Sequence, residues 1–342
     1  MKYVKRAAAL LLETLLLMTI SLYGLLFVIT RGPSPAARDL FVRSVRETSA
    51  VGFLADLFLE EDQIQEILNA VQIQEYTETD TSLIQITGQP EPAGTAQPDA
   101  WGLVDEDGDG IILKPVTGKG YSGYMMVVLD PSRVIMGCNP GAFNVKGYTV
   151  EQMAEQFDAV AAINAGGFYD PEGNGDGSMP DTMVVYEGEV FYPERGTSYG
   201  FVGFDKKHIM HVGKLTEAEV REREIQYGVC FGPVLIANGE ACDVSTLYSG
   251  INPRTAIGQR SDGAVLMLVI DGRQVISLGA TYQDLVEIML DYGAVNACNL
   301  DGGSSTLMWY NGEYVNNCAS VIGIRPVPTS FVVLQEGGGR DD

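Results

Sequence analysis

The N-terminal stretch sets the strongest contrast between polar and apolar positions. A short basic head, Met1-Lys2-Tyr3-Val4-Lys5-Arg6, precedes 23 residues from Ala7 to Ile29 with one charge, Glu13, before Arg31-Gly32-Pro33. As a helix this run reaches roughly 35 Å, enough for a hydrocarbon core of about 30 Å with some tilt. Its length and its Arg-Gly-Pro end favour a signal anchor over a cleaved signal peptide, whose apolar region is usually about 7–15 residues. The basic head predicts a single-pass protein with a cytoplasmic N-terminus and the rest of the chain extracellular, although Arg31 and Arg38 soften the asymmetry. From Asp39 to Gln74, Phe53, Leu54, Leu57, Phe58, Ile64, Ile67, Leu68 and Val71 recur at helical spacing, and Glu60-Glu61-Asp62 suits the first turn of a second helix. Glu75 to Ala100 is rich in Thr, Gln, Pro and Glu, has no period, and reads as a flexible linker.

From Trp101 the texture changes to short apolar runs between glycine turns: Tyr124–Leu129, Met183–Tyr186, Phe201–Phe204, Val234–Ile236, Val265–Ile270 and Phe331–Leu334. Only Thr149–Gln156 and Tyr282–Tyr292 carry a helical pattern there. The expected class is α+β, with a mixed or antiparallel sheet-rich catalytic domain and few helices. The expected organisation is a head and transmembrane anchor (1–31), a helical membrane-proximal stalk (32–74), a flexible linker (75–100), the sheet-rich domain (101–336) and a disordered tail (337–342).

Charge narrows the partners. The first 50 residues hold seven basic and three acidic side chains, and the remainder holds 15 and 42. So acidic a module has no counterion-releasing patch, which excludes nucleic acid as a partner. Five cysteines (138, 230, 242, 298, 318) are an odd number with no C-x-x-C pair, so at least one is free or pairs between chains.

The chemistry has few candidate carriers. His208 and His211, the two histidines, stand three apart in an expected strand or its end, on opposite faces, and cannot readily share a metal. Acid–base work therefore falls on carboxylates or tyrosines. Asp105, Asp107 and Asp109 match the start of an EF-hand loop, but its twelfth position is Val116, so weak calcium binding stands against a plain acidic turn. No cofactor is required by the sequence, and metal dependence stays open.

Three segments stand out. Asn164-Ala165-Gly166-Gly167-Phe168-Tyr169-Asp170 runs an apolar strand into a double glycine, where a ligand can approach the backbone or a tight turn can form. Asn252-Pro253-Arg254 places an arginine, suited to phosphate or carboxylate, at a strand entrance. Leu300-Asp301-Gly302-Gly303-Ser304-Ser305 ends a strand in a carboxylate beside a glycine turn, which serves either a site or an Asp-Gly hairpin.

With Gly232-Pro233-Val234-Leu235, Pro253 to Gly258, Asp271-Gly272-Arg273 and Gly293 to Asn296, these segments resemble the phosphodiester glycosidase family over roughly residues 115–335. Ser304 departs from the family's usual third glycine. The resemblance implies a hydrolase that cleaves between a sugar anomeric carbon and phosphate in sugar-1-phosphodiesters, with an N-acetylglucosamine-type sugar. Bacterial members labelled for exopolysaccharide biosynthesis imply a cell-surface glycan as substrate. A phosphate leaving group calls for charge neutralisation, expected from Arg254 and the N–H groups of Gly302 and Gly303. The oxocarbenium-like carbon calls for a carboxylate, with Asp301 first and Asp271, Asp181 and Glu287 as unranked partners. Asn164 and Tyr169 are expected to hold sugar hydroxyls, with Gly166, Gly167, Ser304 and Ser305 lining the site. The alternatives are a non-catalytic glycan-binding or exopolysaccharide and cell-wall assembly module, and a calcium-dependent stalk protein.

Overall fold

The computed structural model describes residues 2–46, 52–69, 78–86, 97–170, 175–195, 200–245, 247, 250–320 and 323–336. The chain divides into two compact units, Met1–Gln72 with Tyr248–Gly250, and Ile73–Leu247 with Ile251–Asp342. The expected tail, 337–342, lies outside the described residues.

The first unit is helical. α1 (Lys2–Arg31) contains one stretch, Lys5–Arg31, long and apolar enough to cross a membrane. α2 (Pro35–Arg46) and α3 (Glu61–Asn69) follow, and α3 starts where the acidic pair Glu61 and Asp62 suits the positive end of the helix. Val42, Val45, Ala55, Leu59, Ile64 and Ile67 form their shared core. The second helix starts at the expected acidic residues, and between the two lies a short 3-10 turn, Gly52–Leu54. Phe53 and Leu57 are 60% and 49% exposed there. Residues 47–51 and 70–77 lie outside the described residues.

The second unit is built from three sheets whose named strand pairs are all antiparallel. The largest runs 111–118, 121–128, 265–270, 254–260, 294–299, 234–237, 240–241; the second runs 313–314, 308–310, 159–164, 329–334, 134–138; the third runs 189–191, 184–186, 225–230, 201–205, 210–213. One face of each contributes to a common core that includes Met126, Met267, Ile163, Phe331, Val202 and Val229. The outer face of the second sheet packs on α4 (Val150–Gln156), that of the third on α5 (Glu217–Glu222), and that of the first on α6 (Tyr282–Asp291). With both faces covered, strands such as Val265–Ile270 are apolar at every position instead of alternating. α4, α5 and α6 all start with a threonine capping box.

Part of the expected flexible linker is bound structure. Thr79 Oγ1 donates to the Val212 carbonyl at 3.2 Å, and Gln85 N–H donates to the Ser261 carbonyl at 2.7 Å. Ile84 is buried, and Asp99 holds the buried Arg260 at 2.7 Å. A polar, aperiodic segment reads as linker because nothing local reveals partners more than a hundred residues away. Residues 87–96 lie outside the described residues. His211 occupies a strand and binds Asp205 at 3.1 Å, while His208 sits in the preceding turn at φ 59°. All five cysteines are thiols.

Candidate active site

The site begins where strands from two sheets end together. Strand 159–164 runs into Ala165-Gly166-Gly167, and strand 294–299 runs into Leu300-Asp301-Gly302. Asp301 N–H donates to the Ala165 carbonyl at 2.9 Å, and Leu300 N–H donates to Thr255 at 2.8 Å. Asn164, fully buried, closes the junction: its Nδ2 donates to the Asp301 carbonyl at 2.7 Å. Its Oδ1 accepts from Thr255 Oγ1 at 2.8 Å and from Leu307 N–H at 3.2 Å. The turn after Asp301 needs glycine, since Gly303 has φ +61° and donates its N–H to the Pro253 carbonyl at 2.9 Å.

At this junction Asp181 comes near enough to Asp301 for its charge to act on the Asp301 carboxyl. Burial pushes the Asp301 carboxyl up to about 7; a hydrogen bond from Ser305 opposes that, and the Asp181 charge adds to it. Asp181 is solvent-exposed but flanked by protein, whose low polarity raises its carboxyl, opposed by Arg195. Gly167 makes room for it: a Cβ there would stand 2.8 Å from Asp181 Oδ1 and 3.1 Å from the Phe231 ring. A buried carboxyl raised towards neutrality with a second carboxylate close by is an arrangement that acid–base chemistry uses.

Three arginines complete the surroundings, and none was among the site candidates. Arg325 is buried, forms a 2.7 Å ion pair with Asp170, and helps hold the Asp301 proton affinity down. Arg195 lies beside Asp181 and donates to the Pro180 carbonyl. Arg273, exposed, places its guanidinium 3.3 Å from where a Gly303 Cβ would be. Arg273 was visible in Asp271-Gly272-Arg273; Arg195 and Arg325 carry no local pattern that singles them out. Tyr169, 60% exposed, follows the double glycine. Ser304 is half-buried in the 3-10 turn Gly303–Ser305.

Several expected residues are engaged in other contacts. Arg254 shares its strand face with Ala256 and therefore points towards α6, where it stacks 4.3 Å from the Tyr282 ring and donates to the Ala280 carbonyl. Thr255, on the opposite face, is the residue that reaches Asn164. Asp271 is buried and accepts from Asn316 Nδ2 (3.1 Å), Asn317 N–H (2.9 Å) and Asn317 Nδ2 (3.0 Å), so it fastens a loop. Glu287 is on the exposed face of α6, with Gln283 Nε2 at 3.2 Å. The N–H groups of Gly302 and Gly303 are committed to the Asp301 carboxylate and Pro253. Asn164, wholly enclosed, positions the backbone instead of meeting a sugar.

Asp105, Asp107 and Asp109 bring one oxygen each within 4.8 Å of one another, so a single cation could bridge them. Their loop is also closed by its own bonds, Gly108 and Gly110 N–H to Asp105, and Tyr310 hydroxyl to Asp109 at 3.0 Å. Val116, the expected twelfth ligand position, lies in strand 111–118.

A family model described as phosphodiester glycosidase matches residues 157–334. The SPbeta prophage-derived uncharacterized protein YomE of Bacillus subtilis (strain 168) is 30% identical, over 56% of this chain and 32% of that protein. The N-acetylglucosamine-1-phosphodiester alpha-N-acetylglucosaminidase of Homo sapiens is 27% identical, over 57% of this chain and 41% of that protein. The chain thus spans well under half the length of these curated relatives. The catalytic domain of the zebrafish enzyme of the same name shares the fold, with a TM-score of 0.54 and 22% identity, covering 66% of this chain and 82% of that one.

Proposed function

Because the chain belongs to the phosphodiester glycosidase family, we propose that it hydrolyses sugar-1-phosphodiesters of cell-surface glycans, with an N-acetylglucosamine-type sugar. The observation that carries this reading is the Asp301–Asp181 pair: burial raises both carboxyls, the Asp181 charge adds to the rise at Asp301, and Asp301 reaches about 7. In this reading Asp301, its carboxyl pushed up to about 7, retains a proton to give near neutral pH, and Asp181 acts as the carboxylate. Asp181 serves the anomeric carbon, as nucleophile or as base for water, and Asp301 gives its proton to the leaving phosphate oxygen. The anomeric C–O bond breaks, the oxygen of water ends on that carbon, and a free sugar and a phosphate monoester leave. Arg273, exposed beside the Asp301-Gly302-Gly303 turn, neutralises the departing phosphate. Tyr169 offers an exposed ring as a platform for the sugar. Arg325, tied to Asp170, fixes the loop that carries Phe168 and Tyr169.

In the same reading α1 anchors the chain, with residues 1–31 crossing the membrane from a cytoplasmic N-terminus. Residues 32–74 lie close to the bilayer, and 101–336 form the extracellular catalytic domain. The apolar stretch in α1 and the basic head support this arrangement. Assay of α- and β-linked sugar-1-phosphodiesters tests the function. Sugar release that Asp301→Asn abolishes supports it, while retention of glycans without any turnover assigns the chain to the glycan-binding alternative.

A further inference from the structure

The loop between strand 265–270 and α6 carries a feature the proposed reaction does not use. Its tip is a closed turn: Arg273 N–H donates to the Leu278 carbonyl at 3.1 Å, and Gln274 N–H donates to Ser277 at 2.9 Å. Its base is fixed by the buried Ser277 hydroxyl, which donates to the Asp271 carbonyl at 2.6 Å, and by Leu278 N–H on the Gly120 carbonyl at 2.8 Å. This ordered tip holds three aliphatic side chains out in water, with Val275 101%, Ile276 79% and Leu278 57% exposed. Single exposed aliphatics are ordinary, but a contiguous group on a built projection marks a contact surface.

The charge pattern says what the contact is. In a chain with 45 acidic residues, the twelve from Gly272 to Gln283 contain none, and their one charged side chain is Arg273. Arg273 stands at the root of the apolar tip and at the Gly303 turn beside Asp301. A ligand that satisfies both halves carries a phosphate at the arginine and a hydrocarbon along the tip.

We infer that the phosphate of the substrate is esterified to a long-chain alcohol, whose first carbons lie along Val275, Ile276 and Leu278. This rests on the proposed function and specifies its aglycone. The site lies in a chain that also carries a helix able to cross a membrane, where such alcohols reside. Hydrolysis then releases the free sugar, with the oxygen of water on its anomeric carbon, and leaves a long-chain alkyl phosphate monoester.

The test compares methyl and hexyl esters of one sugar-1-phosphate, using the full chain in lipid nanodiscs. The native protein should favour the hexyl ester at least tenfold in kcat/KM, and the double variant Val275→Ser/Ile276→Ser should bring that ratio close to one. Tenfold is about 1.4 kcal/mol, the burial of about two methylene groups. Equal turnover of both esters by the native protein overturns the inference and leaves the hydrolase reading standing. If neither ester is cleaved, the hydrolase reading fails, and calorimetric titration with methyl and hexyl phosphate decides the apolar site separately. Tighter hexyl phosphate binding that the double variant loses supports it, and equal binding overturns it.

Discussion

The side chain of Asn164 holds the main chain of Asp301: its Nδ2 lies 2.7 Å from the Asp301 carbonyl, while its Oδ1 ties Thr255 and Leu307. One amide thereby joins strand ends from two sheets directly behind the catalytic candidate. Asn164→Ala would leave a buried carbonyl, hydroxyl and N–H without this partner. The expected loss is about 3 kcal/mol of stability, with a lowered kcat, because unsatisfied buried groups cost about 1–3 kcal/mol each. Thermal unfolding and turnover of the same variant check both parts, and an unchanged melting temperature contradicts the bracing role.

The two carboxylates predict a specific pH response. If Asp301 acts as the acid, kcat/KM declines above about 7, the value to which its carboxyl is pushed. The Asp181 charge contributes to that upward push. Asp181→Asn should therefore move the alkaline limb to lower pH and reduce kcat by about 10²–10⁴. A limb that stays in place would show that another group titrates.

Stability carries the same signature with the opposite consequence. Between about pH 4 and 7 the native protein holds a proton on Asp301 that the unfolded chain has released, so stability falls as pH rises through this window and levels off above it. Asp301→Asn removes that cost. At pH 8 the variant should be more stable than the native protein by about 1–2 kcal/mol, allowing for the partial solvent access of the site. The difference should shrink towards pH 4. Melting temperatures across pH would show this, and a variant less stable at pH 8 would argue against a strained carboxylate.

Position in the fold separates residues that look alike in sequence. Glu287→Gln should leave kcat/KM within about twofold, since Glu287 lies on the exposed face of α6. Arg273→Ala should lower kcat/KM by about 10²-fold or more, with Arg273→Lys recovering part of it through charge without the guanidinium fork. Steady-state kinetics on one sugar-1-phosphodiester measure all three. Equal losses in Glu287→Gln and Arg273→Ala would refute the assignment.

Where the sheet domain starts is also measurable. A chain beginning at Trp101 loses Ile84 from its buried site and Asp99 from Arg260, whereas one beginning at Glu78 keeps both. Loss of one partner leaves Arg260 as a buried charge with Asp262 still beside it, and the shorter chain should melt several degrees lower. Equal melting temperatures would restore residues 78–86 and 97–100 to the role of a loose linker.

The sequence by itself determined whatever local pattern can write. The apolar run of α1, the two longest domain helices, the runs that became strands and the Asp301-Gly302-Gly303 turn were all legible, because burial and turn geometry act on neighbouring residues. The family resemblance was legible for a related reason, as several short motifs kept their order along the chain. Only the tertiary structure decided which polar residues meet. Strand alternation turned Arg254 towards α6 and Thr255 towards Asn164, a one-residue distinction that depends on which face each sheet buries. Asp271 was drawn away by Asn316 and Asn317, over forty residues along the chain. Arg195, Arg273 and Arg325 came in from three separate loops, and Asp181, in the space that Gly167 leaves, came near enough for its charge to act on Asp301. The proton affinity of Asp301 is likewise set by protein packed around it from distant segments, so no window of neighbouring residues contains it.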